Sequence, residues 1–288
     1  MEKKRNDLIK PEDYIKPKQS RYYVPKITKK STEKAMRAKK RYMQPMKPLH
    51  NESYIVEANK VLNIAESYET SFKLSIKPPE AHKMAIRINQ YLESEAERNK
   101  TPFNPIDYKI VLAAFEKMRT VYCDLLFYFR GFEGGPYDID KGIYIHGGTG
   151  SGKTLVMKIF KEYTKKCLQA NSFRMVEAST ISDKATKKGI NALDQFVRSQ
   201  ETYTPINMYI EDFGASPKQI RAWGNLIDPM GELIMRRYNY FKKYGTLTHL
   251  CTNIKPSDLP NHFGPRVCSR FHEMFNIVNF NIFDWRKV

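Results

Sequence analysis

Residues 147–154 read Gly147-Gly148-Thr149-Gly150-Ser151-Gly152-Lys153-Thr154, a complete GxxxxGK[ST] phosphate-binding loop. Immediately before it, Gly142-Ile143-Tyr144-Ile145-His146 forms a short apolar run that reads as a strand, and Leu155 to Gln169 after it reads as a helix. The glycines let the backbone curl so that successive N–H groups can face a triphosphate with no Cβ in the way. A helix starting at the phosphates would present its unsatisfied first-turn N–H groups and the positive end of its dipole to the same anion. In that setting Lys153 reaches the β and γ oxygens and the Thr154 hydroxyl ligates Mg²⁺. ATP or GTP is the expected ligand, with all eight residues from Gly147 to Thr154 forming the cofactor cradle.

Outward from the loop, the chain after Gly131 alternates strand and helix. Candidate strands are 142–146, 173–177, 206–211, 246–252 and 276–283, and candidate helices lie near 154–169, 182–199, 217–242 and 258–274. That alternation predicts an α/β fold, a parallel sheet covered by helices on both faces. The preceding stretch is helical in period: Tyr108, Val111, Leu112, Phe115, Met118, Tyr122, Leu125 and Phe129 fall on one face of the clearest segment. Pro78-Pro79 and Pro102 to Pro105 separate its pieces. The expected organisation is a basic arm over 1–50, a small helical region over 51–132, and a P-loop ATPase domain over 133–288.

The charge is one-sided. The chain of 288 residues carries a formal net charge of +18, and its first fifty residues hold sixteen Lys and Arg against five Asp and Glu. A low-hydrophobicity, proline-punctuated basic arm is read as unstructured. It holds nucleic acid by counterion release, with Tyr14, Tyr22, Tyr23 and Tyr42 available to stack on bases, or it serves only as a solubility tail. No apolar stretch reaches membrane-spanning length and no secretory signal opens the chain, so a cytoplasmic protein without a membrane partner is expected. Cys123, Cys167, Cys251 and Cys268 are widely spaced, which argues for neither a zinc module nor a disulfide framework.

Hydrolysis needs a metal carboxylate and a group that orients water, carried at the end of a buried strand. Ile206-Asn207-Met208-Tyr209-Ile210-Glu211-Asp212 has that form, an apolar run ending in two acids. Glu211 and Asp212 are read as the pair that holds the Mg²⁺ shell and orients the attacking water. The next strand ends at Asn253, whose amide suits contact with both the γ-phosphate and that water. Further on, Arg266 and Arg270 stand four residues apart on one helical face, and planar cations of that kind suit developing phosphoryl charge.

Taken in order, GGTGSGKT, YIEDFG, RRYNYFKKYG, THLCTN, FGPRVCSR and FNIFDWR resemble the AAA+ ATPases of the DnaC-like helicase-loader and IstB-like transposition-ATPase group, over roughly residues 135–288. The resemblance implies that Asn253 is a first sensor, that Arg270 is an arginine finger reaching a neighbouring subunit's nucleotide, and that Arg286 is a second sensor. It also implies an initiator-type insertion in which Lys184, Lys187 and Lys188 contact single-stranded DNA. The implied function is an ATP-dependent helicase loader of DNA replication that works as a homo-oligomer on single-stranded DNA with a replicative helicase. The alternatives are an IstB-like ATPase partnering a transposase, and a P-loop kinase acting on a nucleotide or small molecule. One departure stands out: Glu211 occupies the place where this group usually has Asp.

Overall fold

The structure, a computed structural model, describes residues 51–68, 77–132, 134–168, 173–222, 225–282 and 284. The basic arm and Arg286 lie outside the described residues.

Three helices come first: α1 (Asn51–Tyr68), α2 (Pro78–Asn99) and α3 (Tyr108–Phe129). Pro78 and Pro79 fit the first turn of α2, where their missing N–H groups would have no partner, and the Glu80 carboxylate accepts the Lys77 N–H at 3.2 Å. At the start of α3 the Asp107 carboxylate accepts the Lys109 N–H at 2.9 Å. Between these helices, the Asn89 amide both donates to and accepts from the Ile106 backbone, pinning the proline-rich connection onto α2. The expected apolar face of α3 is buried at Val111, Phe115, Met118, Tyr122 and Leu125 and half-buried at Tyr108, Leu112 and Phe129.

The second half is a five-stranded parallel sheet: β1 (Gly142–His146), β2 (Arg174–Glu177), β3 (Met208–Glu211), β6 (Thr248–Thr252) and β7 (Phe275–Asn279). The spatial order is β2-β3-β6-β1-β7. The sheet is covered on one face by α4 (Lys153–Lys166) together with α1, α2 and α3. The other face is covered by α5 (Ala178–Lys188), a 3₁₀ segment (Ile190–Phe196), α6 (Pro229–Tyr244) and α7 (Leu259–Met274). Phe129 of α3 stacks on Phe160 of α4 with ring centroids 5.0 Å apart, so the helical region and the sheet share one continuous core on that face.

Several element boundaries differ from the sequence reading, among them that of the strand expected over 276–283, which ends at Asn279. The helix expected over 217–242 begins only at Pro229, because Asp228 caps it by accepting the Gly231 N–H at 2.8 Å with Pro229 behind it. The residues before it form an antiparallel hairpin, β4 (Ile220–Ala222) with β5 (Asn225–Ile227). The helix expected over 182–199 starts at Ala178 and stops at Gly189, whose positive φ of 72° ends it before the 3₁₀ turn. α7 is broken at Gly264 (φ 77°, ψ 165°), followed by Pro265.

Arg237 of α6, 1 % exposed, holds the N-terminal end of the sheet. It donates to Thr248 Oγ1, to the Phe196 and Leu247 carbonyls, and to that of Ile206. Burial lowers its pKa to about 9, so the group remains a cation solvated by backbone oxygens. That cation and complete burial together pull His249 of β6 down to about 3. Its neutral ring accepts the Ile143 N–H on Nδ1 at 3.2 Å.

Candidate phosphate-binding and acid site

The loop leaves β1 at the C-terminal edge of the sheet and turns directly into α4. Gly150 and Gly152 take φ of 74° and 91°, the left-handed region that favours glycine. Gly147 is constrained differently: a Cβ there would come 2.3 Å from the Phe280 carbonyl oxygen. The curl expected from the sequence is therefore required by both backbone torsion and close approach.

Lys153 is 7 % exposed, with its ammonium folded over the loop. It donates to the Gly147 and Gly148 carbonyls at 3.0 and 2.7 Å and to Asn253 Oδ1 at 2.9 Å. Asn253 Nδ2 in turn donates to Thr149 Oγ1 at 3.3 Å. The strand order explains this meeting across a hundred residues of chain: β6 lies between β3 and β1, so the residue that follows it emerges between the acid pair and the loop. A phosphate arriving in the cradle would take over the ammonium from these neutral oxygens.

Glu211 ends β3, half-buried, and Asp212 follows it exposed, in a left-handed conformation (φ 52°). That conformation is uncommon for a residue with a side chain and is held from both sides. The Phe213 N–H donates to the Cys251 carbonyl at 2.8 Å, and Thr252 Oγ1 donates to the Phe213 carbonyl at 2.6 Å. Glu211 and Asp212 are thus displayed at the same edge as the loop.

The structure adds residues that carry no local signal in the sequence. Asn281 Oδ1 accepts the Gly148 N–H at 3.2 Å, and Lys117 of α3 donates to Asn279 Oδ1 and to the Asn281 carbonyl. His146, the last residue of β1, has its pKa lowered first by burial and then by Lys117, Lys153 and Lys255. Three lysines acting on one imidazole mark a locally positive field at the mouth of the loop, the potential a polyphosphate needs.

The residues carried by resemblance are distributed elsewhere. Lys184 donates to Gln195 Oε1 at 2.7 Å and lies over the Phe196 ring, tying α5 to the 3₁₀ segment, whereas Lys187 and Lys188 are exposed in the last turn of α5. Arg270 sits on α7 with its guanidinium stacked 4.5 Å from the Tyr238 ring centre, and Nη1 donates to Glu273 at 3.1 Å and to the Tyr238 hydroxyl at 3.4 Å.

The donor set suits Mg²⁺. That ion keeps most of its waters and needs only one or two protein oxygens besides phosphate, so no dedicated cage is required. Among the described residues no group of three or more His, Cys, Asp and Glu converges. Thr154 in the first turn of α4 and Glu211 on the neighbouring edge are the candidate oxygens.

The fold and loop define an α/β P-loop NTPase fold, with a parallel sheet flanked by helices behind a helical N-terminal part. Among solved structures, the chain is similar to DnaI at 16 % identity and a TM-score of 0.40, over 56 % of this chain and 84 % of that one. It is similar to the DnaC helicase loader at 18 % identity and a TM-score of 0.37, over 56 % and 88 %. Domain III of the Thermotoga maritima replication initiation protein DnaA matches at 16 % identity and a TM-score of 0.40, over 57 % and 62 %. No family model and no curated protein matches the sequence. No described helix is long and apolar enough to cross a membrane.

Proposed function

We propose that this chain is a Mg²⁺-dependent AAA+ ATPase acting as a helicase loader in DNA replication, with single-stranded DNA and a replicative helicase as partners. The observation that carries the ATPase part is the Lys153–Asn253 hydrogen bond, which joins the phosphate loop to the strand end beside the acid pair. In this reading Lys153 transfers its ammonium from the Gly147, Gly148 and Asn253 oxygens to the β and γ phosphate oxygens. Asn253, released, turns its amide toward the γ-phosphate and the attacking water. Asp212 would orient that water, and Glu211 and Thr154 would hold Mg²⁺, which when bound would neutralise charge on the phosphate oxygens.

Support for the DNA-directed part is the charge of +18 and the ordered motif set from GGTGSGKT to FNIFDWR. Two measurements test the halves separately. Asp212→Asn should retain ATP but stop its cleavage, while Glu211→Gln should chiefly raise the Mg²⁺ requirement; the reverse pattern inverts the two roles. Binding to single-stranded DNA should weaken by about a thousandfold or more between roughly 50 and 200 mM salt, and should weaken again on deleting residues 1–50. Charge reversal at Lys187 and Lys188 should add a separate loss. Salt-independent binding, or none, would refute the DNA-directed half and leave the ATPase standing.

A further inference from the structure

Tyr209 lies two residues before Glu211 on β3, so the two side chains point to the same face of the sheet. It is the face against which α4 packs. Tyr209 is fully buried, and its hydroxyl has no hydrogen bond of ordinary geometry. The polar groups beside it are the Cys251 thiol and the Thr154 hydroxyl, with the Glu211 carboxylate further off. Thr154 Oγ1 and Cys251 Sγ are themselves 3.8 Å apart. Cys251 also faces the backbone N–H of Asp212. Thr154 Oγ1, Cys251 Sγ and the Tyr209 hydroxyl therefore gather under the first turn of α4, between the loop threonine and the acid pair. A buried hydroxyl left without a partner destabilises a fold that phenylalanine would satisfy, so its place in this cluster points to a use.

We propose that Tyr209 is a positioning residue for Thr154, an inference that rests on the Mg²⁺-ATPase reading above. Thr154 can offer an oxygen lone pair to a cation in the cradle only if its own proton points to an acceptor on the other side. Tyr209 Oη is that acceptor, and its proton goes on to Cys251 Sγ. The relay fixes the rotation of the Thr154 hydroxyl and leaves both Glu211 oxygens for the water of the metal shell. Second partners of this kind orient a metal ligand without touching the metal.

Tyr209→Phe keeps the ring and removes the oxygen. The test titrates a fluorescent ATP analogue against the full chain in EDTA and across a Mg²⁺ series, with a thermal melt of each protein. Affinity in EDTA should match the wild type and the melting temperature should not fall. The Mg²⁺ concentration giving half the gain in affinity should rise about three- to tenfold, the loss expected for one hydrogen bond. In a Thr154→Val background the same substitution should shift nothing further. If the wild type responds to Mg²⁺ and Tyr209→Phe responds identically, the proposal is overturned and the ATPase reading survives. A shifted midpoint accompanied by weaker EDTA binding and a lower melting temperature marks a packing defect and also overturns it. Wild-type binding that ignores Mg²⁺ would sink the metal reading of Thr154, and Tyr209's role with it.

Discussion

The Lys153 ammonium is nearly buried before any nucleotide arrives, and three protein oxygens already solvate it. Phosphate binding at this lysine is thus an exchange of acceptors, and Asn253 is the one acceptor of the three that is a side chain. The two residues should consequently fail in different ways. Lys153→Ala removes the flexible cation and leaves the N–H cradle, so ATP affinity should drop and hydrolysis should stop. Asn253→Ala removes only an acceptor and the amide proposed to face the transferring group, so affinity should stay within a few-fold while turnover falls by roughly a hundredfold or more. Equilibrium nucleotide binding and single-turnover hydrolysis, measured on both variants, separate these effects. Equal loss of turnover and binding in Asn253→Ala would mean that the amide only braces the loop.

Strand β6 carries the site on its C-terminal end and a neutral histidine near its start. His249 has its pKa lowered from 6.5 to about 3 by burial and by the Arg237 cation, while its Nδ1 serves the Ile143 N–H of β1. The folded chain refuses a proton that the unfolded chain accepts below pH 6.5. Stability is therefore full above that pH and falls as pH drops toward 3, by up to about 1.4 kcal/mol per pH unit from this one group. His249→Asn offers an acceptor that does not titrate, although it loses contact with the Phe129 and Phe173 rings. The variant should be less stable at pH 7 yet lose less stability between pH 6.5 and 4, as read from urea unfolding at each pH. Parallel pH profiles for the two proteins would show that the histidine is not the titrating group.

Nothing in the sequence around Thr-His-Leu-Cys-Thr distinguishes this histidine from an exposed one, because its state depends on α6 and Arg237 arriving from elsewhere. The loop was legible for the opposite reason: a strand, four glycines, a lysine and the threonine after it act within the thirteen consecutive residues 142–154. β1, α4 and the acid strand followed from local pattern in the same way. The hairpin β4–β5 did not, since Asp228-Pro229 is the true helix start and the stretch before it carries enough helix formers to extend the pattern backward. Asn281, Lys117 and Tyr209 reach the site through strand order and packing, and Tyr209 reads in sequence as one more apolar residue of a buried strand.

In the whole molecule, the residue that decides between an assembled machine and a self-contained kinase is Arg270. Its guanidinium stacks on Tyr238 and is bonded through Nη1 to Glu273 and the Tyr238 hydroxyl, contacts that fix it on the flank of α7 rather than over the loop of its own chain. If Arg270 is a finger for a neighbour's nucleotide, it would be worth roughly a thousandfold or more in phosphoryl transfer. If a neighbouring copy brings the anion, Arg270→Ala subunits should bind ATP normally and fail to hydrolyse it. Mixing them with Lys153→Ala subunits should restore part of the activity, because an intact arginine from one then faces an intact loop of the other. The check is steady-state hydrolysis of the mixture against each variant alone, with mixed assembly verified by differential labelling. No recovery in verified mixed oligomers would remove the trans role, and full activity of Arg270→Ala by itself would favour a kinase whose chemistry is complete within one chain.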